Sequence, residues 1–441
     1  MDVVVIETRP LGDRSYLVHD GEVALVIDPQ RDTDRVEAAA VEADVRITHV
    51  AETHLHNDYL TGGLILARAH GAVYLVSADD DAGFEHQPIA DGGTVQVGRL
   101  TVKAVATPGH THHHLSYVVS DGEDQSVFSG GSLLYGSVGR TDLVSGEDTE
   151  KLTHAQYSSV RRLAAEARPD AALYPTHGFG SFCSSGPASG VYRSTIAEQQ
   201  GTNHAFTDPD EDHFVRELIN NLTAYPSYYA HMAPANRQGP GPADLTVPES
   251  LDPAELSQRL EDGEWVVDLR NRVAFASSHL QGSVSFEYGR GSSFTAYLGW
   301  VLPWNQELTL VGGREDVEKA IRDLSRIGID SPAAALGTDP EALGAGTAVV
   351  SYPRADWEEM QRLRGAEDVV LDVRRTDEYD AGHLAGAVNI PLHELLSRMD
   401  EVPAGKVWVH CASGYRSGVA ASLLQRAGRQ VVHVDAKYGP S

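Results

Sequence analysis

One of the two cysteines in the chain, Cys411, stands in a setting that favours nucleophilic chemistry. The apolar segment 407–410 predicts a strand that runs into Cys411, and an alanine-rich helical pattern begins near Arg416 and ends at Gly428. This arrangement would place the sulfur among backbone N–H groups at a helix N-terminus, where the peptide dipoles favour an anion and lower the pKa of a thiol. We therefore expect Cys411 to be a nucleophile that can carry a persulfide.

The loop around Cys411 has residue types that suit an anion. Arg416 would add a fixed positive charge for an anionic donor, and glycine would permit the backbone turn. The residues expected to surround the persulfide or anion are Ala412, Ser413, Gly414, Tyr415 and Ser417. The alternative is a buried cysteine that only caps a helix.

A second chemical signal is the segment "THLHNDYLTGG", residues 53–63. His54, His56 and Asp58 follow an H-x-H-x-D spacing, and these residue types bind zinc or iron. The next residue, where a further ligand would be expected, is Tyr59. The segment therefore predicts a metal centre or part of one.

The elements that must position these residues differ between the two halves of the chain. Short β runs separated by turn signals fill residues 1–125, and helical patterns lie between them, so we predict a layered sheet sandwich. Helical patterns at 210–232 close this region. The Pro- and Gly-rich segment 234–248 is the predicted linker.

Beyond the linker the sequence repeats itself with a period near 100 residues. Each copy has a helical pattern, an apolar strand that ends in Asp-x-Arg, and then "HLxGxV". Asp268 and Arg270 carry the pattern in the first copy, and Asp372 and Arg374 carry it in the second. We predict two α/β domains with mainly parallel sheets. The first copy has no cysteine after its corresponding strand, which favours a spacer or docking role.

The predicted organisation is therefore multidomain α/β. The three predicted domains are 1–240, 249–346 and 353–441.

Composition excludes several classes of partner. Acidic residues outnumber basic ones, 63 to 35, and the formal charge is −28. Such a field repels phosphate backbones and anionic lipid surfaces, so neither nucleic acid nor membrane is an expected partner. No apolar run approaches the length of a membrane span, and the first residues lack the pattern of a signal peptide. We expect a cytoplasmic protein.

The C-terminal copy resembles the rhodanese family. The resemblance rests on Asp372 and Arg374, on "GHLAGAVNIP" (382–391), and on the loop from Cys411 to Arg416. Phosphatases with this fold carry five residues between Cys and Arg, whereas this chain carries four, the length that goes with sulfur transfer. The resemblance implies that Cys411 takes the outer sulfur of thiosulfate or a thiol persulfide and passes it to sulfite or a thiol, while Asp372 and Arg374 support the domain.

Two further expectations concern the rhodanese-like copies. The middle copy resembles a rhodanese domain without its nucleophile. The sequence also stops soon after the last predicted strand, where many rhodanese domains continue. We therefore expect that one wall of the Cys411 pocket comes from elsewhere.

The N-terminal region resembles the metallo-β-lactamase family. Four segments in the order and rough spacing of that family carry the resemblance. They are "THLHNDYLTGG" (53–63), "TPGHTHHHLSY" (107–117), "VFSGGSLL" (127–134) and "LYPTHGFGSF" (173–182). The resemblance implies an αββα sandwich whose strand ends deliver metal ligands to one edge. The implied ligands are His54, His56, Asp58, His110 and His177.

Two departures narrow the implied chemistry. A two-zinc hydrolase of the glyoxalase II type would carry a His at Tyr59 and a bridging Asp at Gly131, so a metal-dependent thioester hydrolase is only a third interpretation. The segment "GSVGRTDL" (136–143) resembles persulfide dioxygenases, the mononuclear iron branch, which includes fusions to rhodanese domains. That branch holds iron with two His, matched by His54 and His110, and one carboxylate, which Gly131 replaces here.

The implied cofactor is one Fe(II), with Zn(II) as the alternative, in a shell that Gly131 leaves incomplete. Residues that would complete it are His56, Asp58, His177 or one of His112, His113 and His114; water is another candidate. Tyr59 is expected either to pack or to donate a hydrogen bond into the pocket. Cys183 either lines the pocket or packs as a small buried residue.

The resemblances together imply oxidation of a low-molecular-weight thiol persulfide to sulfite, coupled to sulfur transfer through Cys411. The expected partners are that persulfide, such as the persulfide of glutathione, and thiosulfate or sulfite. The resemblance is also compatible with a homodimer. The rival interpretation is a sulfurtransferase or persulfide carrier whose metal-free sandwich binds a thiol without catalysis.

Overall fold

The computed structural model describes residues 1–186, 190–289, 293–344 and 346–439. The chain divides into two compact units. One comprises residues 1–243 with 325–328, and the other comprises 244–324 with 329–441. No helix within these described ranges has both the length and the apolar character needed to cross a bilayer.

Two mixed β-sheets form the centre of the N-terminal unit. The first has strand order β1-β2-β3-β4-β5-β6, antiparallel from β1 to β3 and parallel from β3 to β6. Its strands are β1 (Asp2–Thr8), β2 (Asp13–His19), β3 (Val23–Ile27), β4 (Arg46–Ala51), β5 (Val73–Ser77) and β6 (Gln87–Ile89). The strands of the second sheet are β7 (Thr94–Val97), β8 (Leu100–Ala106), β9 (Leu115–Ser120), β10 (Gln125–Gly130) and β11 (Ala172–Pro175). They lie in reverse order, β11 to β7, and only the β10–β11 pair is parallel.

Helices cover both outer faces of this pair of sheets. They are α1 (Asp34–Glu42), α2 (Gly63–His70), α3 (Thr149–Glu166), α4 (Ile196–Thr202), α5 (His204–Thr207), α6 (Glu211–Asn220) and α7 (Tyr229–Gln238). Apolar side chains that alternate along the strands divide into three cores. The first lies between the sheets, the second beneath α1 and α2, and the third beneath α3 and α6. Each sheet buries both faces, which confirms the predicted αββα sandwich.

Strand ends from both sheets lead to the predicted ligand positions. β4 ends three residues before His54, β8 ends four residues before His110, and β11 ends two residues before His177. β10 ends directly before Gly131. The order of the strands therefore brings segments that are far apart in sequence to one edge of the sandwich.

The predicted linker begins later than its composition indicated. α7 continues through Pro234 to Gln238, so the first residues of the segment 234–248 are helical. Met232 and Asn236 on this helix are fully buried. Packing of one helix face offsets the loss of a backbone hydrogen bond at proline, which is why the Pro-rich composition did not mark the true end of the helix.

The C-terminal unit contains two separate parallel sheets. The first has strand order β14-β12-β15-β16 and the second has order β18-β22-β21-β19-β20. The strands of the unit are β12 (Trp265–Asp268), β13 (His279–Leu280), β14 (Val284–Ser285), β15 (Leu308–Gly312), β16 (Ala333–Leu336), β17 (Val349–Val350), β18 (Arg354–Ala355), β19 (Val369–Asp372), β20 (Val388–Asn389), β21 (Val407–His410) and β22 (Val431–Val434).

Helices follow the strands in both halves of this unit. They are α8 (Pro253–Glu261), α9 (Arg272–Ser277), α10 (Phe294–Val301), α11 (Arg314–Ser325), α12 (Pro340–Leu343), α13 (Trp357–Leu363), α14 (Thr376–Asp380) and α15 (Tyr415–Arg426), with 3₁₀ turns at Leu392–Glu394 and Met399–Glu401. The two parallel sheets agree with two sequence copies, and β13 and β17 form a separate antiparallel pair. The boundaries 249–346 and 353–441 stay predictions.

The Asp-x-Arg motif has the same geometry in both copies. Asp372 and Arg374 form a two-oxygen ion pair with contacts of 2.6–3.0 Å, and Arg374 also donates to the carbonyl of Gly382 at 2.9 Å. Asp268 and Arg270 do the same, and Arg270 donates to a backbone carbonyl at 2.8 Å. In both copies the pair fixes the end of a strand to the next loop, and its role in supporting the domain stays a prediction.

Candidate functional site

Three of the predicted metal ligands converge in the N-terminal unit. His54, His110 and His177 are buried, and their ligand atoms all lie within 4.8 Å of one another. The centroids of the three rings are 4.9–5.4 Å apart. Nε2 of His54 lies 3.4 Å from Nε2 of His177. Two imidazole nitrogens bound to one tetrahedral ion at bond lengths of ~2.0–2.1 Å would be about 3.4 Å apart, so the spacing suits a shared ion.

The Nδ1 atom of each ring is held by the protein. His110 donates to the Arg140 carbonyl at 2.7 Å, and Nδ1 of His177 lies 2.9 Å from Asp13. Nδ1 of His54 lies 2.9 Å from the Thr53 hydroxyl, which donates its own proton to Asp28 and therefore accepts from the ring. Each Nδ1 thus carries a proton and leaves Nε2 as the atom that would bind a metal, which is the usual support for histidine ligands.

The Nε2 atom of His110 has no hydrogen-bond partner among the described residues. Burial lowers the pKa of His110 to about 3 and the pKa of His54 well below its usual value, so both rings are neutral and can act as ligands. Burial also disfavours a charge on His177, but the carboxylates of Asp58 and Asp13 outweigh it and raise its pKa to about 10. An ion would take the place of the Nε2 proton on that ring.

A second group of predicted ligands overlaps the first. His56 and Asp58 also lie within 4.8 Å of His177, measured between ligand atoms. Nε2 of His56 points to Asp28 at 3.2 Å and Glu52 at 3.3 Å, whereas Asp58 lies 3.3 Å from Nδ1 of His177. The structure therefore brings all five predicted residues together but directs only three imidazoles at one point.

The position of the missing carboxylate has no room for a side chain. A Cβ at Gly131 would lie 2.2 Å from Cδ2 of His110. The backbone N–H of Gly131 donates to Nε2 of His114 at 2.9 Å, and Nδ1 of His114 lies 2.8 Å from Thr107. Both nitrogens of His114 are therefore engaged, which removes it from the residues that would complete the shell.

The other open questions from the sequence are answered by burial and contacts. His112 and His113 are partly exposed and pair with Asp148 and Asp80, respectively. Tyr59 is fully buried and its hydroxyl lies 3.0 Å from Nε2 of His56, so it belongs to the support of the site. Burial raises the pKa of the Cys183 thiol well above its usual value, which makes Cys183 a protonated, packed residue.

One residue that holds the histidine loop has no signal in the sequence. The amide of Asn236 on α7 donates to the carbonyls of His56 and Tyr59 at 2.9 and 2.8 Å, and it accepts from the N–H of Thr61 at 2.9 Å. Asn236 lies 180 residues from His56 and within the predicted linker. Asp13 and Asp28 also escaped the sequence analysis because they lie on strand ends remote from the histidine motif.

The Cys411 loop in the C-terminal unit forms a cup between a strand and a helix. The sequence predicted several backbone N–H groups around the sulfur, and among the described residues one, that of Gly414, donates to it. β21 ends at His410 and α15 begins at Tyr415, so Cys411 and Ala412 to Gly414 form the turn between them. Cys411 is 1% exposed, and its sulfur accepts from the N–H of Gly414 at 3.2 Å and lies 3.4 Å from the Ser417 hydroxyl. A backbone N–H and a hydroxyl therefore donate to the sulfur.

Gly414 is required by the turn. Its φ is +94°, and a Cβ there would lie 2.0 Å from the Asp435 carboxylate. Beneath the loop, Nε2 of His433 lies 2.9 Å from the Gly414 carbonyl and 3.2 Å from Ser417. The structure places Ser413 at the exposed rim and Ala412 and Tyr415 at intermediate depth.

Arg416 lies at the loop, but its charge is already paired. Its guanidinium contacts both carboxylate oxygens of Glu378, at 2.5 and 2.8 Å, and Arg416 is only 9% exposed. The sequence predicted a positive charge available to an anionic donor. Glu378 on α14 compensates that charge, and only the folded structure brings the two together.

The comparisons with known proteins match the two domains that contain these sites. The family description "Metallo-beta-lactamase superfamily" matches residues 9–177, and "Rhodanese-like domain" matches residues 356–437. The chain joins a metallo-β-lactamase domain to a rhodanese-like domain. This domain pair confirms the fold class, whereas a second rhodanese domain in the middle region stays a prediction because the match begins at residue 356.

Relatives of the metallo-β-lactamase domain include persulfide dioxygenases. The mitochondrial persulfide dioxygenase ETHE1 of Bos taurus is 29% identical over 226 residues, which are 50% of this chain and 82% of the relative. The Homo sapiens protein gives the same figures. A metallo-beta-lactamase from Staphylococcus aureus subsp. aureus COL aligns with a TM-score of 0.67 and 28% identity over 76% of this chain and 98% of that chain.

Proposed function

We propose that this chain is an enzyme of sulfur metabolism with two activities. The metallo-β-lactamase domain oxidises a low-molecular-weight thiol persulfide to sulfite, and the rhodanese-like domain transfers sulfane sulfur through Cys411. The observation that carries the first activity is the convergence of three imidazole Nε2 atoms in a domain whose relatives include persulfide dioxygenases. The cup around Cys411 supports the second.

His54, His110 and His177 would hold one metal ion through Nε2. Their tautomers and the 3.4 Å separation between two Nε2 atoms fit such an ion, although the carboxylate that the persulfide dioxygenase resemblance implied is absent. When bound, Fe(II) would supply the O₂ chemistry that persulfide oxidation needs. Zn(II) is the alternative occupant and would not support that redox step.

The residues of this chain would orient and protect the ligand set. Asp13 and Asp58 fix the ring of His177, and Asn236 fixes the loop that carries His56. The overall oxidation balances as RSSH + O₂ + H₂O → RSH + SO₃²⁻ + 2H⁺, in which the outer sulfur is oxidised and O₂ is reduced.

At the second site, the Cys411 thiolate would attack the outer sulfur of a donor and hold it as a persulfide. Sulfite can then attack that sulfur, so that thiosulfate forms and the Cys411 thiolate is released. Sulfite made at the first site would thus be an acceptor at the second. A cytoplasmic location and a homodimer stay predictions.

The test combines metal content and O₂ uptake on full-length protein purified without oxygen. We expect about one iron per chain and O₂ consumption that depends on glutathione persulfide. A His177→Ala variant should lose most of the iron, whereas His112→Ala, which changes a partly exposed histidine, should retain it. Iron that stays bound in the His177 variant would contradict the three-histidine assignment.

The absence of space at Gly131 favours one second candidate. In that candidate the metallo-β-lactamase domain binds a thiol compound without a metal, and Cys411 alone is catalytic. Protein that contains no metal and consumes no O₂, yet still transfers sulfur, would establish it in place of the oxidation.

A further inference from the structure

A residue from outside the matched rhodanese-like domain lies beside the Cys411 loop. Tyr297 lies on α10, in the middle region that lacks a nucleophile. Its ring centroid is 5.9 Å from that of Tyr415, and the Arg416 guanidinium carbon is 6.0 Å from the Tyr297 ring. Burial raises the pKa of Tyr297, and the charge of Arg416 and the Cys411 sulfur also act on its hydroxyl.

Packing holds α10 in this position. Trp300, three residues after Tyr297, stacks on His393 with centroids 4.4 Å apart, and the Tyr297 and Trp300 rings are nearly parallel. Residues three apart share one face of a helix, so both rings face the C-terminal half of this unit. Phe294 and Leu298 on the same helix are buried and help to hold it in place.

A second contact joins the middle region to the turn that carries the sulfur. Arg272 on α9 lies between Glu287 at 2.5 Å and Asp435 at 2.8 Å. A Cβ added at Gly414 would lie 3.2 Å from Nε of Arg272, so the Arg272 side chain lies against the turn. Ser285 in β14 also donates its N–H to Ser422 on α15 at 3.0 Å. The middle region therefore supports the loop and its helix directly, which goes beyond a spacer.

The charges at this site are balanced. Glu378 compensates Arg416, and Asp377 compensates Arg375 with contacts of 2.8 Å. The loop residues between Cys411 and Arg416 carry no charge. A small dianion gains little from paired guanidinium groups, whereas the organic part of a donor can pack on the aromatic rings of Tyr297 and Tyr415.

We propose that Tyr297 of the middle region is a specificity-determining residue of the Cys411 site and favours organic persulfides over thiosulfate. This inference rests on the proposed sulfur transfer at Cys411. In the transfer, the Cys411 thiolate attacks the outer sulfur of R–S–SH and forms a new S–S bond. The donor S–S bond breaks, R–S⁻ leaves with the electron pair, and the proton stays on the transferred sulfur as Cys411–S–SH.

The experiment compares two sulfur donors, glutathione persulfide and thiosulfate, with cyanide as the acceptor and full-length protein. Tyr297→Leu removes the aromatic ring but keeps an apolar side chain, and Tyr297→Phe keeps the ring. We expect Tyr297→Leu to lower kcat/KM for glutathione persulfide about tenfold, mainly through KM, and to leave thiosulfate within about twofold. Tyr297→Phe should stay close to the wild type with both donors.

Tyr192→Ala is the matched control, because that tyrosine is 64% exposed and lies in the other unit. Equal losses with both donors, or no loss with either, would overturn the specificity role of Tyr297 while sulfur transfer by the wild type stands. A wild type that transfers sulfur from neither donor would instead overturn the proposed function itself.

Discussion

Single polar atoms define the chemistry at the metal site. His110 has one nitrogen fixed on the Arg140 carbonyl and the other without a partner in the described residues. A buried polar atom without a partner costs roughly 1–3 kcal/mol. That cost is offset when an ion binds there, so the unpartnered Nε2 is itself an argument for a ligand. Gly131 also contributes to the site, because a side chain at this position would occupy the space in which the His110 ring lies.

The first prediction concerns Gly131→Asp, which restores the carboxylate that the persulfide dioxygenase resemblance implied. The new Cβ would lie 2.2 Å from the His110 ring, and that ring is fixed by Arg140. We expect iron content to fall rather than rise, as measured by elemental analysis. Gly146→Asp introduces the same side chain where no atom lies within 4 Å and should leave iron unchanged. Increased iron in the Gly131 variant would show that His110 can move to admit a fourth ligand.

The second prediction concerns Cys411→Ser. Loss of the thiol should abolish sulfur transfer to cyanide, because a serine hydroxyl is not ionised at neutral pH. Persulfide-dependent O₂ uptake by the metallo-β-lactamase domain should be retained. Cys183→Ser, at the other cysteine, is the control and should retain transfer. Loss of O₂ uptake together with transfer would mean that the two sites are obligately coupled.

At the level of elements, strand ends of the sandwich position the histidines, and a helix holds the loop that follows one of these strands. The two sheets bring His54, His110 and His177 to one edge, and α7 fixes the histidine loop through Asn236. In the other unit, α15 and its preceding turn form the cup, while α14 supplies the partner of Arg416. Each site therefore depends on a helix that carries none of the reacting groups.

The third prediction uses Asn236→Ala to test how α7 holds the histidine loop. The change would remove three hydrogen bonds to buried backbone groups of the loop. The variant should lose about 2 kcal/mol or more of stability and also bind iron less tightly. Thermal unfolding and a competitive metal-chelator titration measure the two effects. The control is Asn221→Ala, at an exposed helix end, which should change neither stability nor iron affinity. If the Asn236 variant binds iron as tightly as the wild type, Asn236 contributes only to stability.

At the level of the whole molecule, one chain carries a candidate oxidation site and a candidate transfer site. Small sulfur compounds are the substrates to test, because relatives of one domain include persulfide dioxygenases and the other domain is rhodanese-like. Sulfite, the expected product of the first site, is an expected acceptor at the second. Joining two sites in one chain raises the effective concentration of an intermediate between them.

The fourth prediction tests this coupling. An equimolar mixture of Cys411→Ser and His177→Ala protein contains both intact sites on different chains. Below micromolar concentration the mixture should form thiosulfate from glutathione persulfide and O₂ more slowly than the same number of sites in wild-type protein. The difference should shrink as protein concentration rises. Equal rates at every concentration would show that sulfite exchanges freely with the solution.

The sequence by itself determined the local features of this protein. Short β runs between turn signals placed the strands, and the alanine-rich pattern after Cys411 placed the turn and the helix that follows it, because these features depend on neighbouring residues. The motifs also identified Cys411 and the histidine segments. Composition misplaced the start of the linker, since packing of Met232 and Asn236 keeps Pro234 within a helix.

Only the tertiary structure decided which of these residues meet. Many nearby histidines fit a metal shell by spacing alone, and the packing of two sheets selects His177 while hydrogen bonds engage His114. The pairing of Arg416 with Glu378 and the approach of Tyr297 to the Cys411 loop join residues that are far apart in sequence. Spacing along a chain fixes the conformation of one segment, whereas contacts between segments depend on how their buried faces pack.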